Sequence, residues 1–190
     1  GIITTLDPEY AEGRWSSVGK PLVGTDIAIV AEDNSFAPQG SVGEIVSRGR
    51  ITMPGYLNRD DANQEVCFID QSGVQWLRSG DIGYLDKEGY LYIVDRKKDM
   101  ILSGGQNIYP QDIEAVLIKH DCVNDVAVIG VASKRWGETP IALVVVEKNT
   151  ACSEQALLAW CNEQLGKQQR LADVIFIAEL PRNPNGKILK

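Results

Sequence analysis

DRKKDMILSGGQNIYPQDIE, residues 95–114, decides how the rest of the chain reads. It holds a charged run, the adjacent glycines Gly104 and Gly105, and a proline opening an amphipathic pattern. Charge and glycine both suit a joint between two bodies better than the interior of one. The expectation is a hinge together with an active-site loop, with residues 1–97 on one side and 98–190 on the other.

Towards the N-terminus the pattern is that of hairpins. Residues 25–31 (TDIAIVA) alternate polar and apolar, and 43–48 (GEIVSR) can pair with them across the turn-forming Pro38 and Gly40. Residues 53–57 (MPGYL) read as a turn followed by an aromatic, and the polar run 58–65 as a short helix. Residues 82–85 and 90–94 are apolar strands around the turn Asp86-Lys87-Glu88-Gly89. The opening residues 1–24 lack an initiator Met and are turn-rich, punctuated by Trp15, Gly19, Pro21 and Gly24, which reads as a piece of something longer.

Beyond Asp99 the pattern becomes alternating helix and strand. Pro110 suits a first helical position, and Ile113, Val116 and Leu117 share a face of a helix over 110–120. Residues 125–131 and 141–147 are continuous apolar runs, predicting strands covered on both faces or nearly so. Ser153 can cap a helix through Leu165, with Leu157, Leu158, Trp160, Cys161 and Leu165 available for burial. A last strand over 174–178 precedes a tail rich in Pro, Asn and Gly. The fold class is α+β: a β-rich antiparallel subdomain followed by a small α+β domain.

Composition narrows the function. With 44% apolar residues, 190 residues can fill one ordinary core or two small ones. A net charge of −7 argues against nucleic acid, which needs a basic surface to release counterions. Cys67, Cys122, Cys152 and Cys161 form no CxxC pair and His120 is the single histidine, so zinc-type spacing is absent and no metal site is expected. Those thiols suit a reduced, cytoplasmic setting. No run reaches the roughly 18 apolar residues of a membrane span, and nothing near Gly1 resembles a signal peptide.

Five places could carry chemistry, each with an ordinary alternative. Asp81 stands in SGDIG, where a carboxylate between glycines can accept hydrogen bonds from a ribose diol, or simply close a turn. Arg96 begins a cationic run with Lys97 and Lys98. The run is either a solvated linker or a phosphate-reading fork followed by a pivot at Lys98. Gly104 and Gly105 permit close backbone approach to a ligand, or a tight turn. Trp136, in RWGETP, can stack on a base or cap a core. Lys187, after Gly186, is the tip of a flexible arm that can bring a cation to a developing oxyanion, or an exposed terminal lysine.

Taken in order, GEIVSRGRITMPGYL (43–57), WLRSGDIGYLDKEGYLYIVDRKKDMILSGGQNIYPQDIE (76–114) and LPRNPNGKILK (180–190) resemble the adenylate-forming superfamily. That family comprises acyl-CoA synthetases, peptide-synthetase adenylation domains and beetle luciferases, and the GGQNIYPQDIE wording is similar to the CoA-ligase branch. The resemblance implies that a carboxylic acid substrate attacks ATP to give an acyl-adenylate, after which CoA displaces AMP. It also implies that Asp81 holds the ribose, Arg96 contacts the nucleotide and Lys98 is the hinge. Gly104 and Gly105 would line the pantetheine tunnel after the small domain turns, with Trp136 near CoA. Lys187 would bridge carboxylate and α-phosphate, and its acylation would switch the first step off.

Mg2+ is expected with ATP in the intact enzyme, with no ligand for it in these residues. The family's phosphate loop and Tyr-Gly-x-Thr-Glu motif would both lie before Gly1, so the 190 residues alone are expected to be inactive. A Tyr-x-x-Pro segment usual before the last strand is replaced by GKQQRLAD (166–173), leaving that connection open. A carrier-protein-dependent adenylation piece and a non-catalytic interaction module are the alternatives.

Overall fold

Residues 3–148 and 150–190 are described by a computed structural model. They fall into two compact units, Gly1–Lys98 and Asp99–Lys190. No helix among the described residues is long and apolar enough to cross a membrane.

The first unit is built from β1 (Thr4–Thr5), β2 (Ser17–Pro21), β3 (Thr25–Val30), β4 (Gly43–Gly49), β5 (Cys67–Ile69), β6 (Gln75–Leu85) and β7 (Leu91–Arg96), with one short helix, α1 (Asp60–Val66). They form a seven-stranded sheet ordered β1-β2-β7-β6-β4-β3, with β5 also on β6. The expected pairing of 25–31 with 43–48 is seen as β3 antiparallel to β4, Ala28 opposite Val46. Period-two alternation sorts neighbouring side chains to opposite faces. Val30, Val46, Phe68 and Trp76 pack in one cluster, Ile29, Ile45 and Leu91 in another. Phe36 sets its ring edge-on to both Phe68 and Trp76. The turn after β6 is held by the Asp86 carboxylate, which accepts the Glu88 and Tyr90 amides at 2.9 Å each.

The second unit has β8 (Ile101–Ser103), β9 (Gln106–Ile108), β10 (Val123–Ser133), β11 (Gly137–Val146) and β12 (Asp173–Phe176), with α2 (Pro110–Leu117) and α3 (Glu154–Gln164). The strand order is β10-β11-β8-β9, with β12 parallel to β11 on the edge it shares with β8. Ser153 caps α3 as expected, its Oγ accepting the Ala156 amide. Ile113 and Leu117 of α2, Leu157 and Cys161 of α3, and Val126, Val128, Ala142 and Val144 of the sheet share one core.

Three expectations are corrected here. The chain opens this unit with a β-hairpin, β8–β9, before any helix; three-residue strands are too short to announce themselves by periodicity. The β10 and β11 strands are not covered on both faces. Pro140, Ala142 and Val144 are buried, while Ile141, Leu143 and Val145 between them are half-exposed, because α2 and α3 serve one core. The helix from Pro110 ends at Leu117, and residues 118–120 unwind into turns that return the Lys119 and His120 amides to Val116 and Leu117.

The segment 166–173 lacks the family's aromatic and proline, and the structure shows what anchors it. Leu171 is buried, and the Asn162 side chain both donates to the Leu171 carbonyl (3.0 Å) and accepts its amide (2.8 Å).

Candidate functional site

Asp81 and Arg96 meet. The β6–β7 register sets them opposite each other, and Arg96 Nη1 donates to Asp81 Oδ1 at 2.9 Å. The local reason is the Ser79-Gly80-Asp81 triplet. Gly80 has φ of +73°, a left-handed conformation that costs glycine little. That bend lets Ser79 Oγ accept the Asp81 amide (3.0 Å) while donating to the Ile45 carbonyl (2.8 Å). Asp81 therefore lies within β6, and Asp86–Gly89 supplies the hairpin turn at the far end. Both side chains stay within reach of water, 24% and 41% exposed, so the pair is open to a ligand.

The residues after Arg96 are anchored by an acid the sequence reading did not single out. Glu44 is 6% exposed and accepts from Arg78, and its Oε2 also lies 2.9 Å from Lys97 Nζ. A buried carboxylate needs such partners. The available signal was a lone acid inside the apolar strand 43–48. Lys98 is exposed and follows in a single 3-10 turn, Lys97–Asp99, where one unit gives way to the next.

In the second unit Gly104, Gly105 and Trp136 come together. Gly104 and Gly105 turn β8 into β9 with φ of +58° and +79°. The Gly104 amide donates to the Trp136 carbonyl at 2.8 Å. A β-carbon on Gly104 would stand 3.0 Å from Trp136 Cε3, so the indole covers this glycine, whereas Gly105 faces open space. Arg135 lies over the same ring at 4.6 Å, and Trp136 remains 48% exposed.

Lys187 is exposed, and the tail that the Pro and Asn content marked as a flexible arm is folded on itself. Residues 182–188 close into a tight hairpin with an Arg182–Ile188 bridge. Asn183 Oδ1 accepts the Asn185 and Lys187 amides, and the Asn183 amide donates to the Lys187 carbonyl. Arg182 donates to the Gly186 carbonyl and ties the hairpin to Asp125 of β10 at 2.5 Å. Further on, Lys190 Nζ lies 2.6 Å from Glu114 of α2. An asparagine folded back on its own turn gives the segment a defined hairpin geometry that composition alone does not announce.

A family profile for the AMP-binding enzyme C-terminal domain matches residues 112–187. The chain is 40% identical over 188 residues to 2-succinylbenzoate–CoA ligase of Geobacillus kaustophilus, covering 99% of this chain and 37% of that protein. Among solved structures it matches o-succinylbenzoate CoA synthetase of Bacillus subtilis in complex with its acyl-adenylate intermediate, with a TM-score of 0.84, 39% identity, and coverage of 99% and 37% of the two chains. The chain is homologous to members of the adenylate-forming superfamily. The amide bond synthetase McbA from Marinactinospora thermotolerans is similar too, with a TM-score of 0.82 and 32% identity over 98% of this chain and 38% of that one. The chain thus spans somewhat over a third of the length of the adenylate-forming relatives it matches.

One cluster was invisible to spacing. His120, Cys122 and Cys152 each bring a ligand atom within 4.8 Å of the others, although Cys122 and Cys152 are 30 residues apart. Burial pushes the Cys122 thiol up to about 12, helped by the hydrogen bond to Cys152, and burial alone pushes Cys161 up to about 11. Both therefore stay protonated as thiols near neutrality.

Proposed function

We propose that the chain is the C-terminal part of an ATP-dependent acid–CoA ligase, acting within the full-length gene product. The observation that carries this reading is the Asp81–Arg96 pair, set opposite each other by the β6–β7 register and left partly open to water. Its support is the 40% identity to a CoA ligase along 99% of the chain. Residues 1–97 are then the last β-rich subdomain of the large nucleotide-binding body. Residues 98–190 are a small domain that turns about Lys98.

In the first step a carboxylate oxygen of the acid attacks the α-phosphorus of ATP and the bond to pyrophosphate breaks. Asp81 accepts the ribose hydroxyls, and Arg96 holds it in orientation while offering its remaining donors to the nucleotide. Lys187 brings an ammonium to the oxygens where charge builds up. In the second step the CoA sulfur attacks the acyl carbon, the bond to AMP breaks and the thiol proton leaves. Gly104 and Gly105 give the pantetheine arm a backbone without side chains to pass, and Trp136 offers an apolar wall beside it. One cleft must favour an anionic transition state and then admit a thiol. Withdrawal of the Lys187 hairpin and arrival of the Gly104 loop let it do both.

The Bacillus subtilis relative has also been solved with ATP and a magnesium ion. The Asp81 carboxylate is engaged by a guanidinium, a donor set that does not fit Mg2+, so Asp81 is not a ligand for that ion.

The acid proposed is 2-succinylbenzoate, the substrate named for the Geobacillus kaustophilus and Bacillus cereus relatives. The likeness to an amide bond synthetase favours one second reading, in which an amine takes the place of the CoA thiol. The test is to supply the full-length enzyme with ATP and 2-succinylbenzoate, then CoA or an amine. AMP release with thioester supports the ligase. AMP release with amide alone supports the second reading, and no AMP with any acid tried rejects both. The 190 residues by themselves are expected to release no AMP.

A further inference from the structure

Cys122 and Cys152 play no part in that chemistry, yet their sulfurs lie 2.6 Å apart. Cys122 is 1% exposed and pinned at the start of β10, its carbonyl accepting the Glu147 amide (2.8 Å) and its amide donating to His120 Nδ1 (3.2 Å). Cys152 is partly exposed and immediately precedes Ser153, the N-cap of α3. One thiol is thus held still and the other can be reached from solvent.

A thiophilic cation is the competing use of this cluster. Two thiolates on one tetrahedral zinc, each at about 2.3 Å, stand roughly 3.8 Å apart, so a metal would have to force these sulfurs away from each other. His120 Nδ1 is moreover occupied by the Cys122 amide, and the ring stands edge-on to Trp160 at 4.6 Å. A covalent bond between the sulfurs instead needs them closer, at about 2.05 Å.

We propose that Cys122 and Cys152 are a modification site that hydrogen peroxide converts to a disulfide. Cys152 Sγ attacks the peroxide, the O–O bond breaks, water leaves and Cys152 becomes a sulfenic acid. Cys122 Sγ then attacks that sulfur, the S–O bond breaks and a second water departs with the Cys122 proton. Two thiols supply two electrons to one peroxide. Burial holds Cys122 as a thiol near neutrality, so it acts as the resolving partner and not the first to react.

The bond would close a ring over the whole β10–β11 hairpin, whose far end carries Trp136, and staple it to the start of α3. Removing that much freedom from the unfolded chain raises the melting temperature of a small domain by about 10–20 °C.

The test treats the reduced 190-residue chain with stoichiometric hydrogen peroxide. Expected are loss of alkylation at Cys122 and Cys152 together, a cross-linked peptide whose fragmentation distinguishes Cys152 from Cys161, and a melting rise of that size reversed by dithiothreitol. Cys152→Ser, at a partly exposed position, should fold and show none of these; it decides the matter even if Cys122→Ser does not fold. The proposal is overturned if both cysteines stay alkylatable at a dose that oxidises Cys67, or if Cys152 pairs only between chains. Zinc retained in native mass spectrometry and protecting both thiols would overturn it in favour of a metal site.

Discussion

Trp136 lies on Gly104, gripping it twice: its carbonyl accepts the Gly104 amide at 2.8 Å, and its ring leaves 3.0 Å for a β-carbon that glycine does not have. Gly104→Ala therefore meets both a positive φ and the indole, whereas Gly105→Ala meets the φ alone. Gly105→Ala should cost about 1 kcal/mol, and Gly104→Ala about 1 kcal/mol more, a further melting loss of about 4–8 °C. Calorimetry on the two variants checks this; equal losses would mean that the ring yields freely.

Asp81→Ala in the full-length enzyme should raise the KM for ATP about ten- to a hundredfold, the worth of hydrogen bonds to a charged group. The KM for the acid should change little. Pyrophosphate exchange measures both. A shift in the acid term alone would move Asp81 away from the nucleotide.

Lys187→Ala should slow adenylation by about two to three decades, as loss of one oxyanion contact does, while sparing thioester formation from supplied acyl-adenylate. Asn183→Ala keeps the ammonium but removes the acceptor for the Lys187 amide. It should produce a smaller loss in the same half-reaction. Equal losses in both half-reactions would reject the role assigned to Lys187.

A pivot at Lys98 is tested by Lys98→Pro, which fixes φ in the turn between the units. The CoA half-reaction should fall further than pyrophosphate exchange. Single-turnover thioester kinetics that match the wild type would remove the hinge.

Acid should loosen the first unit in a defined window. The Asp70 carboxyl sits below its ordinary 3.8 because the Trp76 indole N–H and the Val74 amide donate to it. A depressed carboxyl stabilises the fold above its unfolded value, and that contribution fades as pH falls through its lower folded value. Stability should thus be flat from pH 7 to about 5 on this account and decline below about 4. Asp70→Asn should be less stable at pH 7 and lose less on acidification, by urea melts across that range.

Much of the candidate site was legible because it is written in local grammar. The Ser79-Gly80-Asp81 triplet, the paired glycines and the Gly186-Lys187 tip each declare a backbone geometry within a few residues. The hairpin that carries Lys187 was not foreseen, since Pro and Asn content cannot show that Asn183 folds back to accept two amides. Glu44 was passed over because its partners, Arg78 and Lys97, lie 34 and 53 residues away.

By itself the sequence determined those boundaries that lie at caps and turns: Ser153 at the head of α3, Pro110 opening α2, and the turn from Asp86 to Gly89. Those depend on side chains reaching their own or adjacent backbone, so spacing suffices. Only tertiary structure decided that Asp81 faces Arg96, that Trp136 covers Gly104, that one face of β11 stays half-open, and that Cys122 meets Cys152. Each depends on strand register or on where two distant loops close, and many sequence spacings are compatible with any one such meeting.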